Sequence, residues 1–173
     1  MKKIAILMVG MLLGVGGNAW AVIAKAEIRG TTPESKISGG VTFQEMPDGL
    51  LIEAKLSDAP PGVYGFHIHE KGNCGNKGND AGGHYNPLGV KHGFFPRDGL
   101  EGAHLGDLGN IQVTENGQGV LKYDHPIPKL TIRGGQYNIE ERAVIIHERP
   151  DDLSQPSGNA GARIGCGVIQ VTD

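Results

Sequence analysis

The chain has 173 residues, enough for one domain, with 16 basic and 19 acidic side chains. This acidic balance argues against a nucleic-acid partner, which needs clustered lysine and arginine to neutralise phosphates. It leaves a small anionic substrate open, because a single local cation can dominate the field of a narrow site.

The chain opens with Met1-Lys2-Lys3, an apolar run from Ile4 to about Gly17, and Ala19-Trp20-Ala21. A basic start, an apolar stretch and an A-x-A site describe a secretory signal peptide. Residues 1–21 are therefore expected to be cleaved, leaving one domain over residues 22–173. The run is short and broken by glycines, which speaks against a membrane anchor, and no membrane association is expected after cleavage. Without Lys2 and Lys3, 14 basic residues face 19 acidic ones, a net charge of −5. The lysine-led leader suits a bacterial periplasm.

The two cysteines, Cys74 and Cys166, both fall in the exported part. One disulfide is the simplest outcome in an oxidising compartment, and without a CxxC pair a cysteine zinc site is disfavoured. The 29 glycines and few aromatics suit short strands joined by turns and long loops.

From Val22 to Arg29 the chain alternates, with Ala24, Ala26 and Ile28 on one face and Lys25, Glu27 and Arg29 on the other. That is the period of a half-buried strand. Val41 and Phe43 continue it in a second strand. Pro47-Asp48-Gly49 signals a turn into a third, with Leu50, Ile52, Ala54 and Leu56 in phase, so the pair reads as a hairpin. Asp58-Ala59-Pro60-Pro61-Gly62 breaks the chain before a fourth strand, Val63 to His69. Regularity then stops from Glu70 to about Asp107, a length that points to function rather than to a plain connection. Strands resume at Asn110 to Val113, turn at Glu115-Asn116-Gly117, and return from Val120 to Tyr123. Ala143 to His147 and Ile164 to Val171 are the last two, separated by a second irregular loop, Glu148 to Ala162. About eight strands and no convincing helix predict an all-β, antiparallel Greek-key barrel or sandwich with two long functional loops.

Seven histidines occur: His67, His69, His84, His92, His104, His125 and His147. His67 and His69 stand two apart on a strand, so both rings leave one face while Phe66 and Ile68 leave the other, toward the core. Two imidazoles on a rigid strand form half of a transition-metal site, and His147, ending another apolar strand, offers a further ligand. His84, His92 and His104 lie in the long loop with Asp107 three residues after the last. Three imidazoles and a carboxylate make a closed tetrahedral set for zinc, and such a crosslink would order a loop that lacks a core of its own. Asp107 taken alone reads equally well as a turn residue in Gly106-Asp107-Leu108-Gly109.

The segments Gly65-Phe66-His67-Ile68-His69-Glu70, Gly82-Gly83-His84-Tyr85-Asn86-Pro87, Lys91-His92-Gly93, His104-Leu105-Gly106-Asp107-Leu108-Gly109-Asn110, His147-Glu148-Arg149-Pro150-Asp151-Asp152-Leu153 and Gly158 to Ile169 resemble the copper,zinc superoxide dismutase family. They follow the family's order and cover most of the chain after the leader. The resemblance implies one copper on His67, His69, His84 and His147, and one zinc on His84, His92, His104 and Asp107, with His84 shared. It implies that Arg163 attracts and orients the superoxide anion beside copper, that Asp151 links a copper ligand to a zinc ligand, and that a Cys74–Cys166 disulfide pins the long loop to the last strand. His84 is the expected proton source for the second half of the reaction, in which superoxide becomes oxygen and hydrogen peroxide.

The sequence departs from the family's eukaryotic pattern between His69 and His84, where Asn73 stands in place of a small or acidic residue, and in a shortened Glu148–Ala162 loop. The steering charges of those relatives therefore do not transfer. Lys71, Lys77, Lys91 and Arg149 are candidates whose plainer reading is solvated surface charge, and His125 matches no ligand. A non-catalytic copper-binding or delivery protein on the same fold is the alternative. A purely structural zinc sandwich would leave His67, His69 and His147 without purpose, and a metallohydrolase lacks an HExxH signature and a vacant zinc position. Oligomeric state stays open, a homodimer included.

Overall fold

The computed structural model describes residues 22–172. The leader expected over residues 1–21, with its cleavage, lies outside the described residues. Among the described residues eight strands form: β1 (Ile23–Gly30), β2 (Ser38–Met46), β3 (Gly49–Ser57), β4 (Gly62–His69), β5 (Asp107–Val113), β6 (Gly119–Lys122), β7 (Ala143–His147) and β8 (Arg163–Thr172). They close into an antiparallel barrel in the order β1-β2-β3-β6-β5-β4-β7-β8, with β8 pairing back onto β1. The chain crosses an end of the barrel twice, from β3 to β4 and from β6 to β7, which gives the Greek-key path.

The strands close because their alternation places one apolar face inward all the way round. Ala24, Ala26 and Ile28 meet Val41, Phe43, Ile52, Leu56, Phe66, Ile68, Ile111, Val144, Ile146 and Ile169 in a single core. The β2–β3 hairpin turns at Pro47-Asp48, with Met46 paired to Gly49, as the turn signal predicts. The segment between β6 and β7 forms no long strand, yet it caps the barrel with buried Ile127, Leu130, Ile132 and Ile139.

The long loop after β4 is less irregular than its composition suggests. It contains a 3-10 turn, Asn79–Ala81, and a short helix, α1 (Phe95–Gly102). The expectation of no helix is corrected here. Pro96 sits in the first turn, where a missing N–H costs nothing, and the Asp98 carboxylate accepts the Phe94 N–H at 2.9 Å. Gly99 breaks the helical dihedrals with φ 65°, so the segment has no sustained apolar period to read. Among the described residues, no helix is long and apolar enough to cross a membrane.

The outer face of β4, β7 and β8 is covered by the two loops instead of by water. Ala81 of the first loop packs on Ala143, Ile145 and Cys166, and Cys74 joins this small second core. The Cys74–Cys166 disulfide, with Cα atoms 5.8 Å apart, ties the loop to β8 across 92 positions of sequence.

Candidate metal centre

The centre is built on the outward face of β4. Phe66 and Ile68 are fully buried in the barrel core, so the pleat turns His67 and His69 to the other side, under the loops. β7 pairs antiparallel with β4, Phe66 opposite Ile146 and His67 opposite Ile145, which brings His147 alongside Gly65. A side chain at 65 would have a Cβ 3.2 Å from the His67 ring and 3.0 Å from Ala160, so glycine leaves the room these rings occupy. Register breaks fall at Gly65/His67 and at Ile146/His147, where bulges re-aim the side chains that enter the site.

The long loop is zipped onto the end of β4. The Tyr85 N–H donates to Ile68 O at 2.8 Å, Ile68 N–H to Gly106 O at 2.9 Å and Glu70 N–H to Gly83 O at 3.0 Å. His84 thereby pairs opposite His69, and Asp107 enters β5 beside His67. The result is two quartets sharing one residue: His67, His69, His84 and His147, and His84, His92, His104 and Asp107, with the ligand atoms of each within 4.8 Å of one another. The His84 ring lies 4.1 Å from that of His67 and 5.6 Å from that of His104, centroid to centroid.

The hydrogen bonds decide which ring nitrogen is free. A carbonyl or carboxylate can only accept, so the nitrogen facing it carries the proton. His69 Nδ1 donates to Gly82 O at 3.0 Å and His147 Nδ1 to Gly161 O at 3.2 Å. Their Nε2 lone pairs then face each other at 3.3 Å. His67 Nε2 donates to Asp151 Oδ2 at 2.8 Å, which leaves its buried Nδ1 without a hydrogen-bond partner. His92 Nε2 donates to the other oxygen of Asp151 at 2.9 Å. His92 Nδ1 lies 2.8 Å from Asp107 Oδ2 but is not aligned as a hydrogen bond. Nδ1 of His84 and of His104 stand 2.8 and 3.1 Å from Asp107 Oδ1. In the first quartet the lone pairs of His69 and His147 converge without a proton between them and repel, and a cation placed there reverses the sign of that interaction; around Asp107 a cation would instead take the place of the ring protons. Imidazole-rich sets of this kind suit copper and zinc better than calcium or magnesium.

The electrostatics agree. Burial, with repulsion from His84 and Arg163, pushes His69 well below the usual imidazole range. Burial lowers His84 to about 4 and His147 to about 3, so both rings are neutral ligands at neutral pH. At His92 burial opposes charge, but the close Asp107 carboxylate and the hydrogen-bonded Asp151 outweigh it and raise the ring to about 9. Asp107 is buried, which favours protonation, yet hydrogen bonds from His104 and His84 and the adjacent His92 ring hold it ionised far below the usual carboxylate range. Asp151 is held low in the same way by His67 and His92.

Asp151 joins the two quartets, and the Arg163 guanidinium donates to Gly78 O and Gly82 O at the rim. Burial lowers Arg163 somewhat, although a guanidinium stays charged. Asp107 serves both readings, a β5 entry residue and a member of the second quartet. His125 is exposed and outside both quartets, and Lys71, Lys77, Lys91 and Arg149 are all exposed. Sequence reasoning missed the supports. Asn110 holds the Asp151 main chain from both sides, accepting its N–H at 2.7 Å and donating to its carbonyl at 3.0 Å. Gly158, with φ 75°, lets the second loop close on Asp151, since a Cβ there would lie 2.0 Å from Oδ1. Asn110 was within a matching segment, and nothing local distinguishes its role.

An eight-stranded barrel carrying two ligand quartets with a common imidazole defines a dinuclear metalloprotein. The family model Copper/zinc superoxide dismutase (SODC) matches residues 37–169, and the chain belongs to that family. It is 40% identical over 159 residues to an extracellular superoxide dismutase [Cu-Zn] of Caenorhabditis elegans, covering 88% of this chain and 68% of that protein. It is 37% identical over 172 residues to a superoxide dismutase [Cu-Zn] of Legionella pneumophila, covering 98% and 100%. A crystal structure described as the clock protein EA4 superposes with a TM-score of 0.74 at 35% identity, covering 87% of this chain and 94% of that one. The protein is an oxidoreductase that dismutates superoxide to oxygen and hydrogen peroxide with copper and zinc, and none of these observations favours a copper-delivery role.

Proposed function

We propose that His67, His69, His84 and His147 hold copper, that His84, His92, His104 and Asp107 hold zinc, and that His84 bridges the two. The observation that carries this assignment is that the same imidazole belongs to both quartets. Copper when bound supplies a one-electron couple for two superoxide anions in turn, while zinc has no redox chemistry and supplies fixed charge.

The chain's own groups do the rest. His84, which offers one ring nitrogen to each quartet, is the proposed proton donor to the second superoxide, with Nδ1 kept on the Asp107 side so that the ring stays in register. Asp151 fixes the tautomers of His67 and His92 together. Arg163 is the cation that draws the anion to the rim, acting mainly on encounter rate. The Cys74–Cys166 bond keeps the loop that carries Gly78 and Gly82 against β8. Residues 1–21 act as a cleaved leader that sends the domain to the periplasm, a reading supported by relatives named as extracellular and by a bacterial relative of full length. The domain works free of the membrane, and pairing into a homodimer is compatible with it.

The test is metal content and dismutase activity on one sample. The intact protein holds one copper and one zinc per chain, and His69→Ala loses copper and activity while retaining zinc. Full turnover by demetallated His69→Ala overturns the assignment.

A further inference from the structure

His92 is gripped from the second loop at three points, and Asp151 accounts for only one of them. The side-chain amide of Gln155 forms a two-way pair with the His92 main chain: the His92 N–H donates to Gln155 Oε1 at 3.0 Å, and Gln155 Nε2 donates to His92 O at 2.9 Å. A primary amide is the side chain that can offer a donor and an acceptor side by side to one residue's peptide groups. With the main chain held by Gln155 and ring Nε2 held by Asp151 at 2.9 Å, Nδ1 has one direction left, toward Asp107 Oδ2. Gln155 itself is exposed, whereas His92 is buried, so the clamp lies on the solvent side of the second quartet.

We propose that Gln155 is a positioning residue for zinc: it clamps the two loops together over His92 and slows the release of the ion. This rests on the assignment of His92 to zinc made above. Asp107, His92 and His104 are all buried, which means that the ion leaves only when a covering segment moves. The Gln155 pair is a non-covalent latch between those segments, 63 positions apart in sequence. Partners of this kind, one step removed from the metal, typically change affinity about 10- to 100-fold.

The experiment measures zinc release from the copper- and zinc-loaded protein into a chromogenic chelator, with the optical spectrum of the protein carrying cobalt(II) in the zinc position as a second readout. Gln155→Ala and Gln155→Glu each speed release about tenfold and shift the cobalt bands, the second because it sets a carboxylate oxygen against the His92 carbonyl. Asp152→Ala removes a contact internal to the same loop, the Ser154 N–H to Asp152 Oδ1 bond of 2.9 Å, without touching His92, and leaves both readouts at the parent value. Unchanged release and spectrum in both Gln155 variants overturn the proposal, as does equal acceleration in Asp152→Ala, which would make general loop order the cause. A parent protein without stoichiometric zinc overturns the zinc assignment instead.

Discussion

His69 and Arg163 donate to the same acceptor, the carbonyl oxygen of Gly82. One backbone atom therefore sets both the tautomer of a ring in the first quartet and the place of the cation at the rim. Gly82 adopts φ 75°, and a Cβ there would lie 2.2 Å from Glu70 Oε1, so the loop reaches this carbonyl position only with glycine.

That shared acceptor makes Arg163 a fixed charge and not a mobile one. Arg163→Glu reverses its sign and is expected to lower the second-order rate constant for superoxide by about 10- to 1,000-fold, with a changed dependence on ionic strength. Stopped-flow kinetics across a salt series check both, and unchanged kinetics would remove its steering role.

Asp151 accepts from His67 and His92 at once, which only an ionised carboxylate does with both oxygens. Asp151→Asn keeps the shape but turns an NH2 toward one of the two ring N–H donors. That ring must rotate or lose its bond. Zinc affinity is expected to fall about 10- to 100-fold, with Asn110 still holding the main chain. Chelator competition measures it, and parental affinity would show that Asp151 does not orient these rings.

The disulfide closes a long stretch of chain and holds the loop under which the first quartet lies. Reduction is expected to cost about 2–5 kcal/mol, chiefly by freeing the unfolded chain. Calorimetry on metal-free protein, oxidised and reduced, checks this, and an unchanged melting temperature after confirmed reduction contradicts it.

The metal-free protein has a stability optimum set by its histidines. His84 and His147 are depressed to about 4 and about 3, below the 6.5 of an unfolded imidazole, so the unfolded chain binds more protons in that window. Stability is lost as pH falls from 6.5 toward those values, on the order of 3 kcal/mol for His84 alone. His92 is raised to about 9, so its contribution is complete below 6.5 and disappears as pH rises through about 9. Asp107 and Asp151, both depressed, add to the loss in acid. Denaturant midpoints of apo protein at pH 4, 6.5 and 9 are expected to be highest at 6.5. A flat profile would contradict these shifts.

The strands and the outlines of the two ligand sets were legible in the sequence because they rest on local regularities, whereas the sharing of His84 between them was implied only by the family resemblance. A pleat alternates with period two, so the phase of Phe66 and Ile68 announces the face of His67 and His69. Side chains that ligate metals are few in kind, so their clustering stands out. α1 was not legible, since eight residues broken at Gly99 carry no helical period. Nor was the cap formed by Ile127, Leu130, Ile132 and Ile139, which bury themselves without a strand's alternation. The supports of the centre were hidden for a different reason. Gly82 O and Gly161 O are acceptors of a type every residue possesses, and the amides of Asn110 and Gln155 are ordinary in polar loops. Composition says which chemistry is available along the chain. Which of these common groups faces a given ring nitrogen is settled by closure of the barrel and the docking of two loops, contacts between positions far apart in sequence that no local pattern encodes.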